Sequence, residues 1–100
     1  MKILLIDDSA DSLLLLRRFF RDKETVCAEN GRVALEITHH HDFDLIITDW
    51  DMPEMNGGDF INATPHLNHK TIIFSASEVT HPKVRFFKKP DDLKKLLTEF

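Results

Sequence analysis

The chain has a single cysteine, no apolar run longer than a few residues, and no stripe of basic side chains. One cysteine excludes an internal disulfide. Cys27 lies in an apolar, strand-like stretch, where a thiol serves as a small buried hydrophobe rather than a reactive group. The apolar start, Met1 to Ile6, is interrupted by Asp7 and is too short for a signal peptide or a membrane span. No membrane is therefore expected as a partner, and a reducing, cytoplasmic location follows. Thirteen Lys and Arg against seventeen Asp and Glu give a net charge of −4, which argues against a nucleic-acid partner. Internal repeats, low-complexity tracts and linkers are absent too. One hundred residues make a single domain, 1–100, able to bury roughly two-thirds of its unfolded surface.

What the sequence does contain is an alternation. Residues 3–6 are a continuous apolar run ended by acids, the pattern of a strand buried on both faces. Ser9 or Asp11 can cap a helix running to about residue 22, with Leu13, Leu14, Leu16, Arg17 and Phe20 on its buried and flanking faces. Residues 25–28 read as a short strand. Asn30-Gly31 then turns the chain into a helix carrying Val33, Ala34, Leu35 and Ile37. Residues 45–48 are the strongest strand, followed by a loop with Pro53 and Gly57-Gly58 and a short helix at 59–63 closed near Pro65. Two more strands are expected at 71–74 and 84–87, and an amphipathic helix at 91–99 with Leu93, Leu96 and Leu97 on one face. Strands and helices in this order predict an α/β fold, a parallel sheet covered by helices on both sides.

Ligands of an open parallel sheet bind at the carboxyl ends of its strands. The polar residues fall there. Asp7 and Asp8 end the first strand, Asp49 the third and Ser75 the fourth, and Lys89 follows the fifth. Carboxylates gathered in one cleft repel by about 4 kcal/mol per pair at 4 Å and an effective dielectric near 20. Such a cluster needs a cation or a raised pKa, and oxygen-only ligands with open water positions suit Mg²⁺. A hydroxyl (Ser75) and an ammonium (Lys89) at the same rim can bind the oxygens of a transferring phosphoryl group. Asp49 would then be the nucleophile, forming an acyl phosphate. The plainer alternative makes Asp7 and Asp8 helix caps and Asp49 the opening of a turn; their joint placement at strand ends favours the site.

These residues carry a family resemblance. Lys2-Ile-Leu-Leu-Ile-Asp7-Asp8-Ser9 resembles the opening of the response-regulator receiver family of bacterial two-component signalling. Asp44-Leu-Ile-Ile-Thr-Asp49-Trp-Asp-Met-Pro53-Glu-Met-Asn-Gly57 is similar to its phosphoacceptor segment. Cys27-Ala-Glu-Asn-Gly31, Ala34-Leu35 and the late Lys89-Pro90 pair, whose peptide bond is usually cis in the family, extend the match over essentially the whole chain. The resemblance implies a flavodoxin-like, doubly wound five-stranded sheet in the order 2-1-3-4-5. It implies phosphorylation of Asp49 by a sensor histidine kinase or histidine phosphotransfer protein, in a protein that is a phosphoacceptor rather than an enzyme. Asp8 and Asp49 would bind Mg²⁺ directly, Asp7 through water, and the Asp51 backbone carbonyl would complete the protein ligands. Ser75 and Phe86 would be the switch hydroxyl and aromatic, Lys89 would pair with a phosphoryl oxygen, and Asp51 and Ser77 would tune self-dephosphorylation. With no output domain after Phe100, a stand-alone receiver acting on an unidentified protein target is expected.

One interval departs from the family. Only thirteen residues, 76–88, separate Ser75 from Lys89, where the family places a full helix and the fifth strand. If 84–87 is that strand, eight residues containing Val79-Thr80 and His81-Pro82 are left for a crossover that normally takes a dozen or more. The helix between strands four and five is therefore predicted absent, replaced by a loop or a single turn. The sheet near Ile73, Val84 and Phe86 would be thinly covered, an apolar patch of the kind that marks interaction surfaces, homodimerisation included. A rival reading pairs strands four and five as an antiparallel hairpin, which would carry Lys89 to the wrong end of the sheet.

Other features have plainer readings. His39-His40-His41 suits a solvated helix terminus better than a metal site. Trp50 is expected as a partly exposed aromatic over the site, with partner contact as the alternative. Of Lys88 and Lys89, one should face solvent. Asp49-Trp-Asp51 also imitates the Asp-x-Asp element of haloacid dehalogenase-type phosphatases, but Pro53 stands where their hydroxyl is needed and no cap domain fits in 100 residues. A pseudo-receiver that only binds partners is opposed by retention of the full set, Asp7, Asp8, Asp49, Ser75 and Lys89.

Overall fold

The computed structural model describes all residues, 1–100. Five strands, β1 (Lys2–Ile6), β2 (Glu24–Ala28), β3 (Leu45–Thr48), β4 (Thr71–Ser75) and β5 (Arg85–Lys88), form one parallel sheet in the order β2-β1-β3-β4-β5. Helices α1 (Ala10–Phe19), α2 (Gly31–Thr38), α3 (Gly57–Ala63) and α4 (Leu93–Glu99) cover it. Strand periodicity divides the core. Ile3, Leu5, Ile47, Phe74 and Phe87 point to one face, where Leu16 and Phe20 near α1 and Leu96 of α4 meet them. Leu4, Ile6, Ile46 and Ile73 point to the other, against Ala34 of α2 and Phe60 and Ile61 of α3. Each such side chain contributes about 1.5–3 kcal/mol when fully buried.

The helix starts are set by side chains. Ser9, Asn30 and Asn56 each accept a hydrogen bond from a backbone N–H in the first turn that follows, at 3.2, 2.9 and 2.9 Å. Several boundaries differ from expectation. Helix α1 ends at Phe19 rather than near residue 22, because Phe20 leaves helical geometry while its N–H still donates to the Leu16 carbonyl. Helix α3 starts at Gly57, two residues early, because Asn56 caps it. Pro65 opens a 3₁₀ segment, Pro65–Lys70, absent from the sequence reading; Thr64 and Thr71 bracket it with hydroxyl bonds to the carbonyls of Phe60 and Leu67. The closing helix starts at Leu93, since Pro90 to Asp92 form a turn.

No helix lies between β4 and β5, as predicted. The two strands are nevertheless parallel, with Ile72 opposite Arg85 and Ser75 opposite Lys88, which overturns the antiparallel alternative. Nine residues, 76–84, suffice because an extended chain covers about 3.3 Å per residue, ample to run back along a strand of four or five. The expected bare patch does not form. Ile73 is 0% and Val84 4% exposed, because the crossover lays Val79 onto this face and Phe86 packs there half-buried.

Candidate functional site

The site is built by strand ladders that run one residue past their strands. Asp7 N–H donates to the Ala28 carbonyl at 3.0 Å, Asp49 N–H to Ile6 at 2.8 Å, and Lys89 N–H to Ser75 at 2.9 Å. Sheet hydrogen bonding thus fixes three backbone positions around one cleft. The side chains of Asp7, Asp8 and Asp49 converge there, offering carboxylate oxygens that all lie within 4.8 Å of one another. Asp7 is buried, Asp49 half-buried and Asp8 exposed. Ser75 is buried on the neighbouring strand end.

Lys89 is the cation of the cleft. Its Nζ lies 2.5 Å from Asp7 Oδ2 and 3.5 Å from Asp49 Oδ2, and donates to Ser12 Oγ at 3.3 Å. It also sits 5.5 Å from the Phe74 ring centroid. Asp7 Oδ1 accepts the Ser9 N–H at 2.9 Å, and Asp49 Oδ1 accepts the Trp50 N–H at 2.7 Å. Burial pushes the Asp7 carboxyl above its ordinary value, and Lys89 and the Ser9 N–H hold that rise back. Lys88, by contrast, turns outward to Glu78 at 3.1 Å. The two lysines separate as expected, and Lys89-Pro90 is cis.

Close backbone packing holds the loop that follows Asp49. Gly57 N–H donates to the Trp50 carbonyl at 2.9 Å, and a Cβ at Gly57 would fall 2.2 Å from the Asp49 carbonyl oxygen. Only glycine lets α3 start this close to Asp49. The half-buried Trp50 indole lies over Gly58, against the second core layer, so it is part of the wall beside the site. Asp51 is exposed on the cleft lip, and its carboxylate accepts the Ser77 hydroxyl from the crossover loop. Phe86 stands on β5, apart from the acids. The three histidines are exposed at the end of α2, where Glu36 contacts His39 and His40. Ser12 and the Ser77–Asp51 bond escaped the sequence reading, because a serine leaves no period or charge to detect.

Relatives match this architecture. The family model for the response regulator receiver domain matches residues 3–97. The chemotaxis protein CheY of Pseudomonas aeruginosa is 31% identical over 90 residues, 84% of this chain and 73% of CheY. Among solved structures, Vibrio cholerae CheY4 superposes with a TM-score of 0.79 at 26% identity, covering 98% of this chain and 96% of that one. Thermotoga maritima TrrA, solved in complex with Mg(2+)-BeF, has the same fold, with a TM-score of 0.84, 24% identity and coverage of 98% and 96%. The chain belongs to the response regulator receiver domain family. Chemotaxis proteins of the CheY type are among its relatives, and no helix is long and apolar enough to cross a membrane.

Proposed function

We propose that this receiver domain accepts a phosphoryl group on Asp49 from a phosphohistidine donor in a Mg²⁺-dependent reaction. The observation that carries the reading is the convergence of Asp7, Asp8 and Asp49 on one cleft, with Lys89 bridging two of them. The donor set fits a small hard cation: three carboxylates, one buried and one open to solvent. Asp8, Asp49 and the Asp51 carbonyl would hold the ion, with Asp7 acting through water; when bound, it would neutralise charge on the phosphoryl oxygens.

The remaining chemistry belongs to side chains. A carboxylate oxygen of Asp49 attacks phosphorus in line as the P–N bond of the phosphohistidine breaks. The imidazole leaves with the electron pair and takes up a proton. Lys89, released from Asp7, and the Ser75 hydroxyl bind phosphoryl oxygens. Asp51 and Ser77, at the cleft lip, would tune the later attack of water, so turnover is confined to the protein's own phosphoryl group. The donor would be a sensor histidine kinase or a histidine phosphotransfer protein.

The output face would be atypical, formed by the 76–84 crossover and β5, with Phe86 as the residue that responds to Ser75. Burial of Ile73 and Val84 removes the bare patch as a docking surface, so a protein target or a second copy would meet the crossover and β5 themselves.

Incubation with Mg²⁺ and acetyl phosphate tests the reading. One base-labile phosphoryl group per chain is expected, absent in Asp49→Ala and without Mg²⁺. An undiminished adduct on Asp49→Ala would overturn the assignment, and steady hydrolysis of small phosphate esters would point to a phosphatase.

A further inference from the structure

Lys89 is held by more than its acid. Its side chain is 17% exposed, so little water reaches its three N–H donors. One donor goes to Asp7 Oδ2 at 2.5 Å and one to Ser12 Oγ at 3.3 Å, while Asp49 Oδ2 is farther off at 3.5 Å. Ser12 is itself tied to Asp7. Its N–H donates to Ser9 Oγ at 3.2 Å, and the Ser9 N–H donates to Asp7 Oδ1 at 2.9 Å. Four hydrogen bonds thus close a ring, from Asp7 through Ser9, Ser12 and Lys89 back to Asp7.

The ring is lopsided. Ser12 lies in the first turn of α1, and its hydrogen bonds lead to Asp7 and not to Asp49. Its hydroxyl therefore favours the position of the ammonium nearest Asp7. That position competes with a bound cation, because Lys89 draws on two of the three carboxylates that would hold one. Two positive charges on the same oxygens repel, so loading the cleft requires the ammonium to draw back from Asp7. Moving off Asp7 toward a phosphoryl group on Asp49 carries it away from Ser12 as well.

Resting on the receiver reading above, we infer that Ser12 is a positioning residue whose hydroxyl holds the Lys89 ammonium on Asp7 in the metal-free protein, and so raises the Mg²⁺ concentration needed to load the cleft. A hydrogen bond made only in the metal-free protein opposes binding, by linkage, to the extent that it stabilises that state. Ser12 is not a ligand of the ion and touches no reacting atom. It acts through Lys89 alone.

The test is the Mg²⁺ midpoint read from the fluorescence of Trp50, whose N–H donates to Asp49 Oδ1 at 2.7 Å and so reports on a carboxylate that would hold the ion. Ser12→Ala should lower the midpoint about two- to tenfold, the equivalent of one hydrogen bond, and Ser12→Thr, which keeps the hydroxyl, should restore it. In a Lys89→Met background, Ser12→Ala should have no further effect, because the group it holds is gone. Urea unfolding gives a second readout that needs no Lys89 variant. Relative to wild type, Ser12→Ala should be less stable without Mg²⁺ than at saturating Mg²⁺, and the helix propensity gained with alanine cancels in that comparison. An unchanged or higher midpoint in Ser12→Ala would overturn the inference, as would a shift that persists with Lys89→Met or an equal urea difference in both conditions. A wild type without any Mg²⁺ response would instead overturn the receiver reading, and this inference with it.

Discussion

Asp7 and Lys89 form a single buried pair whose cost to stability is tied to the role proposed for it. Asp7 is buried beside two other carboxylates, and Lys89 at 2.5 Å is its compensation. Its folded pKa is raised, so the folded state binds the proton more tightly than the unfolded chain does. Stability from this group is present below the ordinary carboxylate value and is lost as pH rises through the raised one. Asp7→Asn should therefore stabilise the metal-free protein at neutral pH by about 1 kcal/mol, since the amide removes a repelling charge yet still accepts a hydrogen bond. Urea unfolding from pH 4 to pH 8 checks this. The advantage of the variant should grow as Asp7 ionises and then level off; a constant offset across the range would contradict it. At this scale much was legible in the sequence. Acids, a hydroxyl and a lysine after apolar runs can be located by strand ends alone, and Lys89 was separated from Lys88 by its neighbour Pro90. Bonds such as Lys89 to Ser12 and Ser77 to Asp51 depend on side-chain directions across 77 and 26 residues, which no local pattern encodes.

The elements most exposed to a single change are the two loops that frame the cleft. At Gly57, a side chain would collide with the Asp49 carbonyl, 2.2 Å from its Cβ, and with the Trp50 backbone. Backbone cannot yield as a flexible side chain can, so Gly57→Ala should cost about 1–3 kcal/mol in denaturant unfolding. It should also slow Asp49 labelling, because the acceptor's own carbonyl must shift. Gly58 offers a control: a Cβ there meets side chains rather than backbone, the Trp50 ring at 2.8 Å and Asn56 Oδ1 at 3.4 Å, so Gly58→Ala should be milder and mainly change Trp50 fluorescence. The crossover rests on different physics. Val79→Ala should cost only about 1 kcal/mol, the worth of a half-buried branched side chain, while increasing proteolysis within 76–84. The missing helix was legible by counting residues between Ser75 and Lys89. The covered patch was not, because counting says how much chain is available and nothing about where Val79 packs. The 3₁₀ segment Pro65–Lys70 was missed for a related reason: its hydroxyl bonds from Thr64 and Thr71 override what read as a simple proline stop.

For the molecule as a whole, a cation bound in the cleft as proposed would be coupled to folding. Three acids are brought together by strands that are far apart in sequence, so the unfolded chain offers no equivalent site and a bound cation stabilises only the folded state. At a hundred times its dissociation constant, Mg²⁺ should add about 2.7 kcal/mol, roughly 10–20 °C in Tm for a domain of this size. Asp8→Asn removes the exposed ligand and leaves the buried Asp7–Lys89 pair alone, so it should abolish most of this response with little effect on metal-free stability. An equal rise in Tm with NaCl at matched ionic strength would contradict the site, since screening acts on exposed charges and falls away for the buried Asp7. A Mg²⁺ response that survives in Asp8→Asn would place the cation elsewhere. The sheet order would make this coupling strong: β1 lies between β2 and β3, so the acids sit at the centre of the sheet, where their displacement requires unpairing ladders on both sides.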